Sequence, residues 1–213
     1  MQTRRALLAL AALVIPGAAF AQAAPTAPGA PVPDPSAVRV DLVTGQGKIV
    51  LELYPDKAPI TTANFLHYVK TKKLDGTSFY RAMRTAWAPG QGLIQGGLQN
   101  DPKKIRPPIA HEPTTLTGIK HLDGTISMSR GKPGSASGDF FICVGDSPYL
   151  DANPDGPAGA DTLGYAAFGR VVEGMEVVRA ILALPTPGKA RNPVMQGQML
   201  DPPVPILTAR VES

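Results

Sequence analysis

The 213 residues include one cysteine, one tryptophan and three histidines. Cys143 alone permits no internal disulfide. Its place between Ile142 and Val144 reads as a small buried apolar residue rather than a nucleophile. His67, His111 and His121 are scattered and form no metal-ligand spacing, so neither a metal nor a cofactor is expected. Charge is equally sparse. A formal +4 with no long basic run argues against a nucleic-acid partner. Apolar runs are short: Ala6–Ile15 is too brief to span a bilayer.

What is abundant is proline and glycine, 23 and 22 residues. They fall unevenly. Arg4 and Arg5 precede the apolar stretch Ala6–Ile15, and Ala19-Phe20-Ala21 fits the small-x-small cleavage rule. Residues 1–21 therefore read as a signal peptide, with cleavage near Ala21. Thr3–Leu8 suits either the general or the twin-arginine export route. Removing the two arginines leaves 4 − 2 = +2. No cysteine follows the cleavage site, so no lipid or other membrane anchor is expected. The mature protein should be a soluble monomer in the periplasm. Residues 22–37, rich in Ala and Pro without apolar periodicity, read as an extended linker.

Residues 38–213 carry alternating patterns. Val38–Val43 and Lys48–Tyr54 predict a hairpin across Thr44–Gly47. Further strands are predicted at Thr77–Arg81, Leu93–Gln95, Thr125–Ser129, Asp139–Val144, Tyr165–Val172 and Pro205–Val211. Two amphipathic helices are predicted, Pro59–Lys72 with Thr61 and Thr62 as caps, and Gly174–Leu184. Asp101–Lys120, Arg130–Gly138 and Ser147–Gly164 read as loops. Strands that outnumber helices without alternating with them predict one mainly β domain, an antiparallel barrel or sandwich flanked by helices.

Arg81 is the residue that calls for an explanation. Period-two alternation places it on one face with Phe79, and an arginine among apolar strand residues is costly unless paired. Gln95 on the next strand is the natural partner. No Ser/His/Asp set or G-x-S-x-G is legible, so hydrolysis lacks support. Asp151-Ala152-Asn153-Pro154-Asp155-Gly156 opens like a calcium loop, but position twelve is Thr162, and Asx turns explain the same residues.

In chain order, Glu52-Leu53-Tyr54, Thr62-Ala63-Asn64-Phe65, Phe79-Tyr80-Arg81, Gln95-Gly96-Gly97, Ser127-Met128-Ser129, Phe140-Phe141-Ile142, Leu150-Asp151 and Phe168–Met175 resemble the cyclophilins, which are peptidyl-prolyl cis–trans isomerases. The likeness covers Val38 to Val211. It implies a closed eight-stranded antiparallel barrel capped by two helices, and proline-containing polypeptides as substrates. It also implies catalysis by Arg81 oriented by Gln95. By matching position, Leu93, Phe141, Leu150 and Met128 behind them would wall the proline pocket, and Ser129 and Arg130 would bind substrate backbone. Three substrate positions depart from the family. Tyr149 stands where tryptophan is common, Tyr165 where histidine is usual, and Asp139 where a glutamine contacts substrate. Gly92 replaces a pocket phenylalanine in a lengthened loop. Asp139 with Gly92 favours a proline-peptide binding module with little turnover, whereas the intact Arg81, Gln95 and Phe141 favour the enzyme; the alternative placement of Asp139 is that it points away and caps the Ser135–Gly138 turn.

Overall fold

Val38–Thr44 (β1) and Gly47–Leu53 (β2) form the expected hairpin, with Thr44 opposite Gly47. The structure, a computed structural model, describes residues 35–157 and 161–212. Residues 1–21, read as a signal peptide, residues 22–34 of the segment read as a linker, and positions 158–160 and 213 lie outside the described residues. The remaining strands are Thr77–Arg84 (β3), Gly92–Gly97 (β4), Thr125–Met128 (β5), Asp139–Val144 (β6), Ala167–Glu173 (β7) and Met199–Val211 (β8). They close into a barrel in the order β1-β2-β7-β5-β6-β4-β3-β8, every pair antiparallel.

The barrel interior is filled from alternate positions of each strand, among them Leu42, Leu51, Phe79, Ile94, Phe140 and Phe168. Helix α1 (Pro59–Lys70) adds Phe65, Tyr68 and Val69 to this core. Helix α3 (Met175–Ala183) adds Val178, Ile181 and Leu182. Between them lies a single turn, α2 (Thr114–Thr117), within the long polar segment read as loop.

Helix α1 is not capped by Thr61 or Thr62, whose hydroxyls are buried without partners among the described residues. Its open N–H groups are taken by Glu112, fifty residues on: Oε1 accepts from Ile60 N at 3.1 Å and Oε2 from Thr61 N at 2.7 Å. A carboxylate at a helix N-terminus satisfies orphan donors and complements the dipole.

One irregularity positions the site. Phe79 pairs with Gly96 and Arg81 with Gln95, which leaves Tyr80 as the extra residue of a β-bulge. The bulge breaks the alternation. Phe79 turns into the core, whereas Arg81 and Met83 face outward, so the shared face expected from period two is corrected. Gly96 is needed opposite, because a Cβ there would lie 2.9 Å from the Phe79 ring.

Candidate active site

The outward positions of β4 and β6 build a second apolar cluster on the outside of the barrel: Leu93, Phe141, Cys143 and Leu150, with Met83 and Tyr165 packed against it. Leu150 comes from the short 3₁₀ turn Pro148–Leu150. Cys143 is wholly buried, and burial pushes its thiol up to about 12, so it stays an inert apolar filler, as its neighbours predict. Above this floor opens a cavity of about 260 Å³. Arg81, Gln95, Ser129 and Arg130 form its polar side; Leu93, Phe141, Leu150 and Tyr149 form the apolar one.

Arg81 is braced on two edges. NH1 donates to Gln95 Oε1 at 2.7 Å and Nε to Gln198 Oε1 at 2.8 Å. Gln95 is itself fixed, its amide nitrogen donating to Tyr80 OH at 2.7 Å and Ser129 Oγ at 2.9 Å. Burial and the nearby Asp139 charge raise the Tyr80 pKa, so its oxygen stays a neutral phenol. Desolvation lowers the Arg81 pKa, while both amides present carbonyl oxygens to it. The sequence offers no signal for Gln198. It lies ahead of the segment read as the last strand, and β8 starts six residues earlier than its prolines suggest. Gln198 is held by its own backbone, which accepts from Ala82 N at 2.8 Å. Val194 and Met195, from the same segment, also line the cavity.

Arg130 lines the cavity with a guanidinium whose three nitrogens each already donate to a protein oxygen. Its guanidinium reaches Asp161 at 2.6 Å and the Gly164 carbonyl, and lies 4.7 Å from the Tyr165 ring centroid. Tyr165 in turn meets Phe141 edge to face at 5.4 Å.

One expected wall residue, Met128, and one expected substrate contact, Asp139, do not line the cavity. Met128 points into the barrel core, on the opposite side of the sheet from Phe141, because it alternates with Ser127 and Ser129. Asp139 shares the outward face of Phe141, two residues on, but at the start of β6 its carboxylate turns to the backbone after β4 instead of the cavity. Its carboxylate is 2% exposed and accepts from Gln99 N at 2.7 Å and Asn100 N at 2.9 Å. Burial pushes its pKa up, and those backbone donors pull it back down. Asp139 caps a turn, though the one at residues 99–100 rather than at Ser135–Gly138.

The barrel also assembles a Ser/His/Asp set that the sequence hides. His121 Nδ1 lies 2.8 Å from Asp151 Oδ1, and its Nε2 lies 3.0 Å from Ser127 Oγ. Ser127 is 0% exposed, so no substrate can reach it, and burial lowers the His121 pKa toward the neutral form. The imidazole stacks on Phe141 at 6.0 Å and 15°. The set supports the pocket floor from behind. It also engages the first residue of the calcium-like loop, whose other oxygen faces Lys120 at 3.6 Å.

An outward arginine held by amides beside an apolar pocket, on a closed antiparallel barrel, is the arrangement that the resemblance to the cyclophilins implies. Residues 39–211 match the family described as cyclophilin type peptidyl-prolyl cis-trans isomerase/CLD, and the chain belongs to that family. It is similar to the peptidyl-prolyl cis-trans isomerase of Acinetobacter baylyi, 34% identical over 82% of this chain and 85% of that one. It is also similar to peptidyl-prolyl cis-trans isomerase B of Escherichia coli, 35% identical over 67% of this chain and 83% of that one. The fold resembles a cyclophilin-type isomerase from Cryptosporidium parvum, solved also with the dipeptide Ala-Pro, at TM-score 0.62 and 21% identity, covering 83% of this chain and 98% of that one. The chain is an enzyme, a cyclophilin-type peptidyl-prolyl cis–trans isomerase.

Proposed function

We propose that this isomerase accelerates X–Pro isomerisation in exported polypeptides as they fold in the periplasm, acting as a monomer with no membrane anchor. The doubly braced guanidinium of Arg81 beside an apolar pocket carries the mechanistic part. Resonance holds the X–Pro bond planar behind a barrier of about 18–20 kcal/mol. In the twisted state resonance is lost, and the prolyl nitrogen gains a basic lone pair. A fixed cation that donates a hydrogen bond to that nitrogen binds the twisted state better than either planar one, which is the requirement for catalysis. Gln95 and Gln198 hold NH1 and Nε, which leaves NH2 for the substrate. Leu93, Phe141 and Leu150 take the ring; Ser129, Tyr149 and Tyr165 stand around it. No nucleophile, base or metal is called for. The binding-module alternative leans on Asp139 and Gly92; with the Asp139 carboxylate engaged by the Gln99 and Asn100 N–H groups, Gly92 alone supports it. A closed barrel leaves no unpaired strand edge, which favours the monomer.

If Gln198 positions Arg81, Gln198→Ala lowers kcat about fivefold with KM nearly unchanged, the worth of roughly 1 kcal/mol of lost hydrogen bonding. Gln198→Glu, which keeps an acceptor, retains most of it. An effect on KM alone would argue for a merely structural role.

The export half rests on Arg4-Arg5, Ala6–Ile15 and Ala19-Phe20-Ala21. Expressed from its full sequence in a Gram-negative host, the protein should appear in the periplasmic fraction with Gln22 at its amino terminus. Recovery in the cytoplasm with Met1 or Gln2 still leading would refute it.

A further inference from the structure

Trp87 is the only tryptophan of the chain, and it stands 74% exposed at the tip of the β3–β4 hairpin. That loop is held by bonds of its own: Thr85 N donates to Gln91 O at 3.0 Å, Gln91 N to Ala88 O at 3.1 Å, and Thr85 Oγ1 to Ala88 O at 3.0 Å. The indole packs on Tyr149, 48% exposed, with centroids 5.7 Å apart and planes at 81°. Tyr149 is already a wall of the Arg81 cavity. The pair therefore extends the apolar side of the site outward. At the strand position before Leu93 nothing can fill this lip, because a Cβ on Gly92 would lie 1.9 Å from the Met83 carbonyl oxygen.

Single exposed apolar residues are ordinary on protein surfaces. Two adjoining aromatic rings, continuous with a pocket, are a different feature, since exposed apolar patches of this kind mark contact sites. We propose that Trp87 and Tyr149 form a rim that selects prolyl peptides with an aromatic side chain next to the proline. Two rings near a right angle make a corner whose open faces suit a third ring, packed offset or edge to face. Val194, 80% exposed, adds apolar surface to the same cavity. The inference rests on the isomerase reading of the Arg81 site and adds to it a preference for one class of substrate.

The test compares prolyl tetrapeptides that carry Phe or Ala beside the proline, with the preceding and following positions varied separately. With the full chain, kcat/KM for the better Phe peptide should exceed that for its Ala counterpart by roughly three- to tenfold, the range an aromatic contact supplies beyond its area. Trp87→Ala should bring that ratio close to one, and Trp87→Phe should restore most of it. Trp87 is exposed, so neither variant threatens the fold. Titration with the Phe peptide should also shift the emission of the one indole, and the Ala peptide should shift it less. A wild-type ratio near one, or a ratio that Trp87→Ala leaves unchanged, overturns the rim. If neither peptide is turned over, the reading of the Arg81 site fails, and the emission titration then decides the rim separately.

Discussion

Arg81→Ala is expected to leave the protein folded while cutting kcat/KM at least tenfold, with most of the loss in kcat. Neither amide engages NH2 of this guanidinium, which lines the cavity. Arg130, the other candidate, is committed to Asp161, the Gly164 carbonyl and the Tyr165 ring. A charged hydrogen bond made only in the twisted state is worth about 1.5–3 kcal/mol, and each 1.36 kcal/mol is about tenfold in rate. Folding should survive because Arg81 lies outside the barrel core and its two amide partners reach water once it is gone. Arg81→Lys is the sharper control. An ammonium keeps the charge but cannot span Gln95, Gln198 and the substrate with a planar fork, so it should rescue little. A protease-coupled assay with thermal unfolding of each variant measures both sides. Full activity in a well-folded Arg81→Ala protein would remove the arginine from the mechanism.

Asp139→Gln should cost stability and bring no faster turnover. The Asp139 carboxylate is buried and satisfies the N–H groups of Gln99 and Asn100, two successive residues at φ 51° and 52°. Left-handed backbone at non-glycine residues persists only where surroundings impose it, and here the carboxylate does. Glutamine is longer, and its single carbonyl oxygen cannot serve both donors in that space. Leaving one or two buried N–H groups unsatisfied costs about 2–3 kcal/mol. For a domain of this size that lowers Tm by roughly 5–10 °C. Asp139→Asn, of the right length but with one acceptor, should fall between. A Gln variant that is faster, or as stable as the parent, would place Asp139 back at the substrate.

These two positions show how far the sequence reaches. Both resemble family positions that touch substrate. For Arg81 the likeness and the structure point the same way, whereas for Asp139 they do not. The departure from glutamine to aspartate is itself the reason. At the first position of β6 the short acid is placed to accept from the Gln99 and Asn100 N–H groups of the turn after β4, and its carboxylate is spent there. Met128 fails differently: in an alternating strand a pocket residue and a core residue look alike, and only the sheet's facing separates Phe141 from Phe140 and Ser127 from Met128.

The sequence by itself determined the number and order of the eight strands, the two helices and the pairing of Arg81 with Gln95. Period-two and period-3.6 patterns are local, and the blocks that carry the family likeness lie along one chain. It also contained Trp87, as a lone aromatic residue with no pattern around it. Tertiary structure decided which face each strand turned to the core. The bulge at Tyr80 reversed the phase on which Arg81 would otherwise have pointed inward with Phe79. It brought Gln198 to Arg81 across 117 positions and Glu112 to the start of α1 across about fifty. It joined His121, Ser127 and Asp151 beneath Phe141. Each of these is a contact between side chain and distant backbone or side chain. Such contacts leave no periodicity in the sequence, because they depend on how closed strands pass one another in space.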